Sequence, residues 1–208
     1  LINISKIPRF KNRILNFHPS LLPMYRGGSP IEEQILKGEV IGGITFHWMR
    51  EKFDDGPIVA QKKIRIKKND DYKSLLKKYV KLGVLEIDKL FDDDIEKWKV
   101  QKSRLKSSMF LSRKETDAII NFRNTYNEID RVMRAFNWRM WPHIIYKNKI
   151  YKVKKISKSK NVRNAKIGEV IKIKPQLKIK CRDSVLAIDC KSLGKVLREN
   201  TNLLKNLR

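Results

Sequence analysis

The chain has 208 residues, 41% hydrophobic and 34% charged: enough apolar content for one large or two small cores, and too much for a disordered chain. With 48 Lys and Arg against 22 Asp and Glu, the net charge of +26 predicts attraction to a polyanion, because neutralised phosphates release condensed counterions. No apolar run approaches the roughly 18 residues of a bilayer-spanning helix, so the chain reads as soluble rather than membrane-embedded.

The charge is uneven. Residues 1–100 carry 20 basic and 14 acidic side chains, whereas 101–208 carry 28 and 8, so the polyanion reading belongs mainly to the second half. The sequence opens on Leu1 rather than Met and lacks signal-peptide architecture, so an N-terminal part of the natural protein is expected to be absent. Cys181 and Cys190 lie in a strand-like segment and read as buried free thiols of a reducing compartment.

In chain order, Ile14-Leu15-Asn16-Phe17-His18 reads as the end of a short strand running into a loop punctuated by Pro19, Pro23, Gly27 and Gly28. A helix is expected from Ser29, whose hydroxyl can cap it, with Pro30 at its first position, Glu32 and Glu33 in its first turn, and Gly38 as its stop. Gly43–Met49 and Pro57–Gln61 read as strands joined by a charged turn containing Asp54, Asp55 and Gly56. From Asp71 to about Trp98, Tyr72, Leu75, Leu76, Tyr79, Leu82, Leu85, Leu90 and Ile95 recur mostly at three or four, predicting one long helix or two.

Residues 101–116 read as a polar linker between a domain over 1–100 and a second over 117–208. Thr125 and Glu128 form a capping box ahead of Ile129, Val132, Met133 and Phe136. Five short strands follow, at His143–Tyr146, Ile150–Ile156, Ala165–Ile173, Gln176–Cys181 and Val185–Cys190, suggesting a small barrel of the oligonucleotide-binding type. A basic stretch from Arg131 to Lys160 is interleaved with Phe136, Trp138, Trp141 and Tyr151, aromatics that read as core more than as stacking platforms.

Moving an acyl or formyl group onto an amine needs a donor aimed at the oxyanion and a route for a proton. Asn16 and His18, two apart on an extended segment, point to the same side and can supply both, with Asp54 as the group that orients or charges the imidazole. Taken singly, each is as readily a turn residue, and spacing alone does not decide. Arg26 suits a phosphate at a substrate's acceptor end and equally suits bracing its loop. His47, between Phe46 and Trp48, reads as a packed or edge histidine rather than a ligand. No His/Cys set has zinc spacing, so no metal is expected.

The string NFHPSLLPMYRGGSPI, followed after a helix and a strand by FDDGPIVAQ, resembles the folate-dependent formyltransferases, whose core carries an Asn-x-His-Pro-Ser-Leu-Leu-Pro run and a later Asp-x-Gly. The resemblance implies an α/β fold: the C-terminal half of a Rossmann-like formyltransferase domain, then a small β-barrel domain. It implies Asn16, His18 and Asp54 as catalytic residues, and 10-formyltetrahydrofolate as formyl donor, with Met49, Arg50, Glu51, Lys52 and Phe53 near its pterin. Many members have Asp and Gly where Arg50 and Lys52 stand, a departure from which a differently shaped folate-side loop is expected.

RAFNWRMWP and the strands behind it resemble the appended domain of the methionyl-tRNA formyltransferase branch, and REKFDDGPI its mitochondrial form. That implies initiator methionyl-tRNA as partner, a monomer, and the mitochondrial matrix. It also implies that several β-α units precede Leu1 in the family, so that the chain is a C-terminal fragment, poorly stable and inactive alone. A sugar N-formyltransferase acting on a nucleotide-linked amino sugar, and a non-catalytic RNA-binding remnant, are the competing expectations.

Overall fold

The computed structural model describes residues 14–92 and 108–189, apart from 147 and 174. The chain divides into two compact units, Leu1–Arg113 and Lys114–Arg208.

In the first unit, β1 (Leu15–His18), β3 (Ile41–Trp48) and β4 (Ile58–Arg65) form an antiparallel sheet in the order β1-β3-β4. β2 (Arg26–Gly27) lies apart and pairs in parallel with β5 (Met109–Phe110). The helix α1 (Pro30–Lys37) has Pro at its start, Glu32 and Glu33 in its first turn, and Gly38 as a left-handed cap donating to Ile35. The sequence expectation fails at Ser29. Its hydroxyl makes no cap hydrogen bond, because it accepts from the Arg113 N–H at 3.0 Å instead.

The long helix α2 spans Tyr72–Asp92; the expected continuation to Trp98 lies outside the described residues. Its inward face is set by Leu75 and Tyr79, each fully buried, and by Gly83, over which the Phe17 ring sits so closely that a Cβ would meet it at 2.5 Å. Leu85 was expected inside but is 54% exposed, because the inward stripe runs 75-79-83 and turns position 85 outward. The core of this unit also takes in Leu22, Ile31, Ile35, Ile44, Phe46, Ile58 and Ile66.

Residues 108–113, assigned by sequence to the linker, return to the first unit. Ser108 accepts from Tyr25 and Arg26, Phe110 accepts from Gly28, and Arg113 pairs with the buried Glu33. Polar composition suggested a loop, but the segment satisfies backbone groups of a second loop by a two-residue strand, too short to show any period.

In the second unit the capping box forms as the sequence predicts, and α3 (Tyr126–Phe136) buries Ile129, Met133 and Phe136. β6 (His143–Tyr146) and β7 (Lys149–Lys152) make a hairpin. β8 (Lys155–Ser159), β9 (Val170–Lys172), β10 (Leu177–Lys180) and β11 (Val185–Asp189) make an antiparallel sheet in the order β8-β11-β10-β9. The expected single strand Ile150–Ile156 is two. Val153 donates to Pro142 beside the hairpin, and Lys154 donates to Asp189 of the sheet, so the chain changes partners at that point. The expected Ala165–Ile173 strand shortens to its last part, because Ile167-Gly168 is a turn with Gly168 at φ 80.

The hairpin and sheet share one core, including Phe122, Ile129, Ile144, Tyr146, Ile179 and Leu186. Among the described residues the strands form an open sheet plus a hairpin, not the closed barrel that five runs suggested. Phe136 and Tyr151 are core as expected, but Trp138 and Trp141 are 55% and 48% exposed. Cys181 is a buried free thiol, and Cys190 lies outside the described residues. Among the described residues no helix is long and apolar enough to cross a membrane.

Candidate active site

Asn16 and His18 sit on β1, and the register places Asn16 opposite His47 and His18 opposite Thr45. Paired residues of an antiparallel ladder face the same side, so one sheet surface carries all four. The β3–β4 register shifts between Phe46 and His47, where Val59 of β4 is the extra residue of a bulge opposite them.

The loop after β1 is wired to this surface by side chains. Thr45 Oγ1 donates to Ser20 O at 2.6 Å and accepts from Leu22 N at 3.1 Å, and Gln61 Nε2 donates to Leu22 O at 2.9 Å. Gln34 Nε2 donates to Pro19 O at 2.9 Å, and its Oε1 accepts from Tyr79 at 2.7 Å. A loop held this way presents its own backbone groups at fixed positions.

Two of those groups matter. Tyr25, at φ 61, turns its carbonyl toward His18, whose Nε2 donates to it at 2.8 Å. Gly27, at φ 100, turns its N–H toward Asp54 Oδ2 at 2.8 Å. Asp54 is itself at φ 50, in a region that costs most residues energy and that Asp tolerates better than most. Gly56 then permits a close return of the chain, since a Cβ there would meet Trp48 O at 1.6 Å.

Asp54 is the hub. Its Oδ2 lies 3.5 Å from His18 Nδ1; its Oδ1 lies 3.4 Å from His47 Nε2 and 3.5 Å from Asn16 Nδ2. Asn16 Nδ2 is also 3.0 Å from His47 Nε2, and His47 Nδ1 is 3.0 Å from Trp48 O. Sequence reasoning placed Asn16, His18 and Asp54 together and the structure brings them together. His47, read from the sequence as a packed or edge histidine, is packed at 2% exposed, but its place at this cluster was not foreseen. The signal was available in the pairing of its strand with that of Asn16, which a reading of each strand alone does not supply.

The hydrogen bonds assign the protons. A carbonyl only accepts, so His18 carries its proton on Nε2 and leaves Nδ1 as a lone pair beside Asp54. Burial holds the His18 pKa below its ordinary value, with Asp54 and the Tyr25 carbonyl pulling the other way and His47 adding to the depression. Burial pushes the Asp54 carboxyl up, but its contacts with His47, with His18 when that ring is protonated, and with the Gly27 N–H together bring it below the usual range. The result is a neutral imidazole next to a carboxylate, a pair able to accept a proton at Nδ1 and stabilise it there. The long Asn16–Asp54 contact leaves the second amide N–H loosely held and available to an incoming oxygen.

Met49 to Phe53, expected near the cofactor, form the segment between β3 and Asp54. Arg50, Glu51, Lys52 and Phe53 are exposed, Phe53 by 62%. Arg26 Nη1 lies 2.6 Å from Asp55 Oδ1, so Arg26 braces the two loops against each other. Among the described residues no group of three or more His, Cys, Asp or Glu side chains could hold a metal ion.

Residues 1–86 match a family model described as Formyl transferase, and residues 113–197 match one described as Formyl transferase, C-terminal domain. The chain is 31% identical over 193 residues to a methionyl-tRNA formyltransferase of Finegoldia magna, covering 90% of this chain and 62% of that protein. It thus spans about three fifths of that relative's length. Among solved structures it resembles WlaRD, a sugar 3N-formyl transferase crystallised with dTDP and 5-N-formyl-THF, with TM-score 0.63, 28% identity, and coverage of 86% of this chain and 65% of that one. A methionyl-tRNA formyltransferase from Clostridium thermocellum shares the fold, with TM-score 0.57 and 19% identity over 70% of this chain and 63% of that one. Since its two units match the successive domains of one family, with the Asn16, His18 and Asp54 cluster inside the first match, the chain belongs to the formyl transferase family.

Proposed function

We propose that the protein transfers the formyl group of 10-formyltetrahydrofolate to the α-amino group of methionyl-initiator tRNA, acting as a monomer in the mitochondrial matrix. The observation that carries the chemistry is the convergence of Asn16, His18 and Asp54, with His18 neutral and its Nδ1 lone pair facing Asp54. The mitochondrial assignment rests on the resemblance of REKFDDGPI to that branch.

The exposed Phe53 ring, one residue before Asp54, suits a flat heteroaromatic donor, and Met49 to Lys52 extend that wall. The donor supplies a formyl carbon held as an amide. As the amine attacks that carbon, the Asn16 amide donates to the oxygen on which negative charge develops. His18 accepts the proton released by the amine at Nδ1, Asp54 stabilises the imidazolium, and the same proton is returned to the departing nitrogen. Arg26 exchanges Asp55 for a phosphate of the tRNA acceptor end.

The basic second unit favours tRNA over a small substrate, because counterion release rewards a polyanion. The second reading, a sugar N-formyltransferase, is favoured by the likeness to WlaRD over 86% of this chain. Offering the intact gene product charged initiator tRNA and a nucleotide-linked amino sugar in parallel separates them. Formylation of the tRNA alone is expected; formylation of the sugar alone overturns the tRNA reading.

A further inference from the structure

We infer that residues 108–113 are a strap whose task is to position the catalytic loop, and that Ser108, Phe110 and Arg113 are positioning residues for formyl transfer. The inference rests on the proposed function for its activity readout. The partners of the cluster are backbone groups: the Tyr25 carbonyl holds His18, and the Gly27 N–H holds Asp54. Both lie on a stretch where Tyr25 and Gly27 have positive φ. A side-chain-bearing residue keeps that conformation only when its surroundings enforce it.

The strap is what surrounds it. Ser108 Oγ accepts from Tyr25 N at 2.8 Å, Ser108 O from Arg26 N at 2.9 Å, and Phe110 O from Gly28 N at 3.1 Å. The Phe110 ring stacks on the Tyr25 ring with centroids 5.7 Å apart. Arg113 anchors the far end, donating from its backbone to Ser29 Oγ at 3.0 Å and from Nε to the buried Glu33 at 2.5 Å. Every backbone N–H from Tyr25 to Gly28 is therefore held, three by the strap and that of Gly27 by Asp54.

The Gly27-Gly28 pair is shaped to receive it. A Cβ on Gly27 would meet Phe110 O at 2.0 Å, and a Cβ on Gly28 would meet Ser112 Oγ at 2.0 Å. Two consecutive glycines thus let two backbones approach closely at the loop that orients His18 and Asp54. The strap ends where the first unit ends, at Arg113.

The test uses the intact gene product carrying Gly28→Ala, with Ser112→Gly as the compensating change, which removes the Oγ that the new Cβ would strike. Gly28→Ala is expected to lower kcat by about tenfold or more with KM changed less than about twofold, and the double variant to recover most of the loss. Wild-type kcat in Gly28→Ala, or a loss that Ser112→Gly leaves unchanged, overturns the inference. Should Gly28→Ala fail to fold, Ser108→Ala decides: lowered kcat at an unchanged melting temperature supports the strap, and wild-type kcat overturns it. If the wild-type protein formylates nothing, the proposed function fails separately. The strap is then read from amide exchange at Arg26, which is expected to quicken in Gly28→Ala; wild-type exchange overturns it.

Discussion

Asn16 and His47 face each other across the ladder between β1 and β3, with Asn16 Nδ2 3.0 Å from His47 Nε2. His47 Nδ1 donates to the Trp48 carbonyl, and its Nε2 faces both the Asn16 amide nitrogen and, at 3.4 Å, Asp54 Oδ1, so the ring ties Asn16 to Asp54. His47→Gln, which offers a carbonyl oxygen, is expected to retain more turnover than His47→Leu, which leaves the amide unoriented. Single-turnover formylation by the intact gene product checks the ranking; equal rates in the two variants contradict it.

The His18 pKa lies below its ordinary 6.5, chiefly because the ring is buried. The base form is the active one, so kcat/KM rises with pH through a value below 6.5 and is flat above it. Asp54 favours the protonated ring, and Asp54→Asn removes that attraction and carries the acid limb to still lower pH while depressing the plateau. A pH–rate profile measures both. An acid limb that moves to higher pH in Asp54→Asn would refute the assignment of His18 as the titrating base.

The Thr125–Glu128 capping box is reciprocal: Thr125 Oγ1 accepts from Glu128 N at 3.3 Å, and Glu128 Oε2 accepts from Thr125 N at 2.7 Å. Thr125→Ala is expected to destabilise the second unit by about 1 kcal/mol, the usual worth of such a cap. Denaturant unfolding with fluorescence from the second unit's tryptophans reads it.

Exposure of Trp138 and Trp141 beside the basic strands gives the second unit both charge and aromatic surface, with Lys152 Nζ 6.0 Å from the Trp141 ring centroid. Binding of initiator tRNA is expected to weaken steeply with salt, and Trp141→Ala to weaken it at every salt concentration by about 1 kcal/mol or more without changing the slope. Filter binding across a salt series distinguishes the two terms.

The Asn16, His18 and Asp54 cluster was legible through the two strings NFHPSLLPMYRGGSPI and FDDGPIVAQ and their resemblance to one family, since the spacing of three polar residues on a strand end and in a turn did not decide by itself. The membership of His47 was not, since it depends on which strand its own strand pairs with, and that pairing sets His47 opposite Asn16. The strap was hidden for a similar reason, as Ser108–Arg113 has loop composition and gains its role only from the Gly27-Gly28 backbone it meets. In the second unit the strand runs were visible, but their closure was not. Local pattern says which residues extend, whereas the order β8-β11-β10-β9 and the separate hairpin are set by long-range pairing. Trp138 and Trp141 show the same limit, for apolar character does not decide exposure at the end of a helix.

The most direct test is formylation of charged initiator tRNA by the intact gene product, wild type against Asn16→Ala, His18→Ala and Asp54→Ala. Formyl transfer from 10-formyltetrahydrofolate is expected in the wild type, with kcat reduced by about a hundredfold or more in each variant and KM changed little. Wild-type turnover in all three variants would contradict the account.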